Sequence, residues 1–334
     1  MRDVLISQKG EAGCITLNRP VALNALSEQM IGTIAAALEA WRDDAAISRI
    51  VVDAVGDKAF CAGGDVRGLY HAAMAGDHDA ARFFRKEYHL NAALAEYPKP
   101  VISFMHDIVM GGGVGLGCHV AHRVIAPDAV LAMPETRIGL VPDIGGTHLL
   151  AQMPGGLGLY FGLTSARMTG LQAVAGGFAD HAIPMTQWDA LKQDIYHCAD
   201  PAMLRDVSEP AAEALDSLRD QMDPIFQNKT VREIWAACDG ITLGATLSGL
   251  SPLSIIVTWH LITHAAQAPG LRAALEREFR VTSRAVEHTD LLEGVRAALV
   301  DKDQTPKWRY RTIQDVPGDA VEALLAPVAK GLFT

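Results

Sequence analysis

Residues 101–117, VISFMHDIVMGGGVGLG, decide how the rest of the chain is read. Val101 to Met105 is a short run without a polar face, which predicts a buried strand. The triplet Gly111, Gly112, Gly113 follows it and precedes an expected helix over 114–121. Strand, glycine loop and helix in that order point to α/β architecture. The triplet does not complete G-x-G-x-x-G, because Leu116 stands three places after Gly113. No G-x-x-x-x-G-K-[ST] occurs elsewhere, so neither the dinucleotide nor the P-loop signature is present.

The same unit recurs upstream. Residues 50–55 form a short β-branched strand, and the loop after it carries Cys61-Ala62-Gly63-Gly64-Asp65, with Asp65 placed to cap a helix over 66–74. Before that, 4–8 and 14–17 read as a hairpin around Gly10 and Gly13. Ser27 caps a helix over 28–42, where Met30, Ile31, Ile34, Ala37, Leu38 and Trp41 recur at helical spacing. A long helix over 79–96 is stopped by Pro98 and Pro100. Downstream, Val124-Ile125 and 130–133 are strand-like and lead to Pro134-Glu135 and Pro142-Asp143. From about residue 200 the pattern is helical, with apolar faces over 252–264, 271–288 and 290–300. The expected organisation is an α/β core over 1–199 and a helical region over 200–334.

The 334 residues are 49% hydrophobic and 20% charged, enough for a large core. A formal net charge of -10, with no clustered basic face, excludes nucleic acid as a partner. Cys14, Cys61, Cys118, Cys198 and Cys238 include no C-x-x-C pair, and their odd number fits a reducing compartment. The first residues lack the marks of a secretion signal, and the longest apolar runs fall short of the roughly 20 residues that span a bilayer. A cytoplasmic protein with no membrane partner is expected.

Both glycine loops can present backbone amides to a ligand oxygen, since glycine lets it approach closely. Taken singly, each also suits an ordinary tight turn. His119 and His122, read as one helical turn apart, lack a third ligand, so no metal is expected. Cys61 and Cys118 beside the loops read as small buried residues. Glu135 and Asp143, eight positions apart in loops after apolar strands, are the candidate catalytic carboxylates, and Glu87 on the long helix is a further candidate.

Taken together, Leu17-Asn18-Arg19-Pro20 with Asn24-Ala25-Leu26, Lys58-Ala59-Phe60 with Ala62-Gly63-Gly64-Asp65, the glycine triplet, and Pro134-Glu135 leading to Gly145-Gly146-Thr147 resemble the enoyl-CoA hydratase/isomerase (crotonase) superfamily. The resemblance implies a crotonase-like spiral of ββα turns with a helical C-terminal region, often assembled as a trimer or a hexamer. It implies that the Gly64 and Gly112 amides form an oxyanion hole for an acyl-CoA thioester, with Ala25, Leu26 and Ala62 against coenzyme A. No cofactor is implied, coenzyme A being part of the substrate. Hydratases of the superfamily carry a glutamate two positions after the triplet, where this chain has Gly115. Glu135 matches their second glutamate, and the added Asp143 resembles two branches, thioester hydrolases and dienoyl-CoA isomerases. Glu87 in Phe84-Arg85-Lys86-Glu87-Tyr88 and the stretch from Glu293-Gly294-Val295-Arg296 to Lys307-Trp308 resemble the hydrolases. The resemblance therefore implies substrate contacts from Glu87, Gly112, Glu135 and Asp143 and catalysis by the last two. The rival expectations are an isomerase that releases no thiol, and an acyl-CoA-binding protein without chemistry.

Overall fold

The computed structural model describes residues 2–197, 200–227, 229–268 and 270–333. Its strands form two sheets. In the six-stranded sheet, β1 (Val4–Lys9) and β2 (Ala12–Leu17) are an antiparallel hairpin with Val4 opposite Leu17. β3 (Arg49–Ala54), β5 (Val101–Met105), β7 (His122–Ile125) and β10 (His181–Ala182) continue it in parallel. The four-stranded sheet contains β4 (Ala59–Cys61), β6 (Ile108–Met110), β8 (Val130–Ala132) and β9 (Arg167–Thr169), with only the last pair antiparallel.

The chain order explains the pairing. β3 enters one sheet, β4 the other, and the helix Val66–Met74 follows; β5, β6 and the helix Gly112–Gly117 repeat the pattern; β7, β8 and a 3₁₀ turn, Glu135–Ile138, repeat it again. This is the ββα spiral expected from the resemblance. β5 is buried at all five positions, as its mostly apolar run predicts, and the Ser103 hydroxyl donates to the Gly117 carbonyl at 2.8 Å.

The chain folds into two interleaved compact units. One comprises Met1–Gly64, Leu90–Ala132 and Arg167–Leu215 and holds every strand among the described residues. The other, Asp65–His89, Met133–Ala166 and Asp216–Thr334, is helical, around a core of Val141, Leu253, Val257, Leu261, Val281, Val321 and Leu324. The boundary expected at 199/200 falls within the Arg167–Leu215 segment of the first unit, and the last strand among the described residues ends earlier, at Ala182.

Helix starts follow the capping residues read from the sequence. The Ser27 hydroxyl accepts from the Met30 amide at 3.2 Å above the helix Glu28–Trp41, and Asp65 Oδ1 accepts from the Gly68 amide at 2.9 Å. Two expectations fail. The run over 271–288 is broken at Ser283 into Leu271–Thr282 and Ala285–His288, and the helix expected over 290–300 becomes Leu291–Val295 followed by a π-helical turn, Arg296–Val300. That turn holds Arg296, whose guanidinium meets Glu293, Asp301 and Asp303. Among the described residues no single helix is long and apolar enough to cross a membrane.

Candidate active site

Both glycine loops lie in the strand-bearing unit. Its residues 23–26 turn back because Leu23 and Asn24 both adopt positive φ, a conformation that Asn tolerates better than most residues. The buried Asn24 amide secures the bend, donating to the carbonyls of Val55 at 3.1 Å and Ala59 at 2.9 Å. The bend then pairs with the first glycine loop: Ala62 N–H donates to Leu23 at 3.0 Å, Leu26 N–H donates to Gly63 at 2.8 Å, and Leu26 and Gly64 form a parallel bridge. Ala25, Leu26, Ala62 and Gly64 therefore lie together.

The second glycine loop abuts the first. A Cβ on Gly63, where φ is +121°, would sit 3.6 Å from the Met110 carbonyl and 4.0 Å from the Gly112 nitrogen. One on Gly113 would strike the Cys61 carbonyl at 2.4 Å. Glycine is needed here for close approach of one backbone to another. Gly112 opens its short helix, so its N–H has no carbonyl within the helix to bind.

The candidate carboxyls lie in the helical unit. Glu135 opens the 3₁₀ turn after Pro134, Asp143 lies in the loop before the helix Gly146–Gln152, and Glu87 lies on the helix Ala80–Ala95; all three are buried. The structure adds a fourth, Glu278, on the helix Leu271–Thr282 and fully buried. Glu278 accepts from the amides of Gly145 at 2.7 Å and Thr147 at 3.1 Å and from the Thr147 hydroxyl. It therefore grips the loop that carries Asp143. The buried Tyr88 hydroxyl lies 2.6 Å from Asp143 Oδ2, to which it donates, and 3.0 Å from Thr282 Oγ1.

Four buried carboxyls cannot all ionise. Burial pushes Glu135 well above the usual carboxylate range, and the charges of Asp143, Glu278 and Glu87 push it further. Burial, then the Asp143 charge, likewise raises Glu87 well above that range. Asp143 is raised by burial only to about 7, because the Tyr88 hydroxyl stabilises its anion. Glu278 reaches about 7 by burial, restrained by its three donors. The Tyr88 hydrogen bond thus favours the Asp143 anion, whereas burial and neighbouring charge favour the protonated forms of Glu135 and Glu87. Glu87 Oε1 and Glu135 Oε2 have no hydrogen-bond partner, an unusual condition for buried oxygens and one suited to receiving a polar ligand.

The sequence singled out Glu87, Glu135 and Asp143, which the structure gathers into one cluster, but it missed Tyr88, Glu278 and Asn91. Asn91 is fully buried with both amide atoms unpartnered, and a Cβ on Gly115 would strike its Nδ2 at 2.6 Å. His119 and His122 do not share a helix, since the helix ends at Gly117 and His122 starts β7. Among the described residues no group of His, Cys, Asp and Glu is arranged to hold a metal. Cys14, Cys61, Cys118 and Cys238 are buried, and Cys198 lies outside the described residues. Burial pushes the Cys118 thiol up to about 12, which disqualifies it as a thiolate nucleophile.

Residues 12–325 match the family model described as enoyl-CoA hydratase/isomerase. The chain is 37% identical to the 3-hydroxyisobutyryl-CoA hydrolase, mitochondrial, of Xenopus laevis, over 96% of its own length and 87% of the relative's. To the human protein of the same name it is 36% identical, over 94% and 86%. The mitochondrial location in those names differs from the cytoplasmic one expected from the sequence. A solved structure described as an enoyl-CoA hydratase from Rhodobacter sphaeroides superposes with a TM-score of 0.92 at 42% identity, covering 98% of both chains. One described as a carnitinyl-CoA dehydratase from Mycobacterium thermoresistibile gives 0.92 at 40%, covering 99% of this chain and 98% of that one.

Proposed function

The chain belongs to the enoyl-CoA hydratase/isomerase family, and from that premise we propose that it hydrolyses the thioester of 3-hydroxyisobutyryl-CoA, releasing 3-hydroxyisobutyrate and coenzyme A, as in valine degradation. The observation that carries this reading is the filling of the space at Gly115. A hydratase needs a second carboxylate there to handle water and protons, and Asn91 stands where even a Cβ would fall. The added carboxyl is instead Asp143, held by Tyr88.

In this reading the Gly64 and Gly112 amides take the negative charge that grows on the thioester oxygen. Loss of one such donor typically lowers the rate by about 10²–10³. Glu135 is the nucleophile or the general base. As nucleophile it first passes its proton to Asp143; its carboxylate oxygen then bonds to the acyl carbon, the C–S bond breaks, and Asp143 returns the proton to the departing sulfur. Water then opens the mixed anhydride. As base, Glu135 activates that water directly, and trapping an acyl-Glu135 adduct with borohydride separates the routes. Glu87 holds the substrate hydroxyl, Ala25, Leu26 and Ala62 line the coenzyme A path, and no cofactor takes part. A homo-oligomer, a trimer or hexamer, belongs to the same proposal.

The test is a thiol-release assay with 3-hydroxyisobutyryl-CoA and 3-hydroxypropionyl-CoA beside a hydration assay with crotonyl-CoA. The descriptions of the two solved structures favour a second reading, hydration or dehydration. Fast crotonyl-CoA hydration without free thiol would establish that reading and remove ours.

A further inference from the structure

Two residues of the helix Leu271–Thr282, one turn apart, converge on the element that carries Asp143: Glu278 binds the loop after it and Thr282 touches the phenol that binds it. We propose that Tyr88 and Glu278 are positioning residues for the reaction, Tyr88 fixing the Asp143 carboxylate through its hydroxyl and Glu278 fixing the backbone of residues 145–147. The proposal rests on the reading that Asp143 carries a proton in thioester hydrolysis.

The geometry is over-determined in a way that mere packing would not require. Tyr88 is buried, and its ring is packed edge-on against Phe84 and Phe279 at centroid distances of 6.1 and 6.2 Å. The ring is therefore held independently of its hydroxyl. The loop itself holds an uncommon backbone, with φ of +53° at Ile144 and +79° at Gly145, and Glu278 meets amides on both sides of Gly146. A carboxylate accepting several donors is a strong local anchor, since both oxygens are engaged. The ionisable groups acting on Asp143 come from three elements: Glu87 and Tyr88 on the helix Ala80–Ala95, Glu135 on its 3₁₀ turn, and Glu278, beside Arg277, on the helix Leu271–Thr282. Of these, Tyr88 is the group that favours the Asp143 anion by a direct side-chain hydrogen bond.

Tyr88→Phe keeps the ring and deletes that donor. Destabilising the anion raises the pKa of Asp143, so the acid limb of the thiol-release profile should move to higher pH by about one unit, a displacement on the scale of one charge-assisted hydrogen bond. KM should change less than twofold. Glu278→Gln replaces one of two accepting oxygens with an NH₂ group that faces a backbone N–H, so kcat should fall at least about tenfold through misplacement of the loop. Circular dichroism and a urea midpoint accompany both. An infrared titration of the Asp143 carboxylate, assigned by difference against Asp143→Asn, reads the same pKa without turnover. If the wild type releases no thiol, the hydrolase reading fails, while the infrared shift still decides the role of Tyr88. A folded Tyr88→Phe protein with an unmoved acid limb and an unmoved carboxylate band would overturn the proposal for Tyr88. A folded Glu278→Gln protein with normal kcat would overturn it for Glu278.

Discussion

Glu135 and Glu87 share burial, a raised pKa and an oxygen without a partner, yet the proposed roles give their amides different signatures. Glu135→Gln keeps shape and removes the anionic oxygen, so kcat for 3-hydroxyisobutyryl-CoA should fall by about 10²–10⁴ or more with KM nearly unchanged. Glu87→Gln should lose activity mainly with 3-hydroxyacyl thioesters and little with isobutyryl-CoA, which lacks the hydroxyl; equal losses on both would remove that role. These carboxyls were legible in the sequence because they sit in family motifs. Tyr88, Asn91 and Glu278 were not. Each occupies an ordinary helical position, and Glu278 reads as one charge among the arginines of residues 272–280. Its meaning comes from a loop 133 residues earlier, a distance that no local pattern spans.

The 3₁₀ turn Glu135–Ile138 and the helix Leu291–Val295 meet at close backbone approach through Gly139 and Gly294. A Cβ on Gly294 would lie 2.3 Å from the carbonyl carbon of Ile138, and one on Gly139, where φ is +71°, 2.5 Å from that of Asp290. This close approach sets where Glu135 begins. Gly294→Ala should therefore destabilise the fold by about 1–3 kcal/mol and lower kcat as well. Gly32→Ala, in the middle of the helix Glu28–Trp41 with open space around it, should gain up to about 1 kcal/mol. Matched urea midpoints and kinetics check both; a neutral Gly294→Ala would mean that the junction has slack. At this scale β3 and β5 were readable from their apolar runs, whereas β4, β6 and β9, at three residues each, and β10, at two, offer no period to read. They exist because the neighbouring strand supplies the pairing.

Across the molecule, a buried carboxyl cluster ties stability to pH. Asp143 rises from 3.8 to about 7 and Glu278 from 4.5 to about 7 on folding, so between those limits the folded chain binds more protons than the unfolded one. Stability is then fully present below about pH 4 for these groups and is lost as pH rises through 7. The urea midpoint should fall from pH 5 to pH 8. The net charge of -10 works in the same direction. Asp143→Asn isolates the cluster, since it removes one titrating group and relieves Glu87 and Glu135; its midpoint should decline less steeply, and an unchanged slope would show that the surface charge governs.

The grip of Glu278 on Gly145 also sets a schedule during synthesis. At about 5–20 residues per second the ribosome delivers residue 278 on the order of ten seconds after residue 145. Until then the nascent chain carries the Asp143 loop without its anchor, so a polypeptide interrupted before the helix Leu271–Thr282 has three of its buried carboxyls but lacks the side chain that holds residues 145–147 in place.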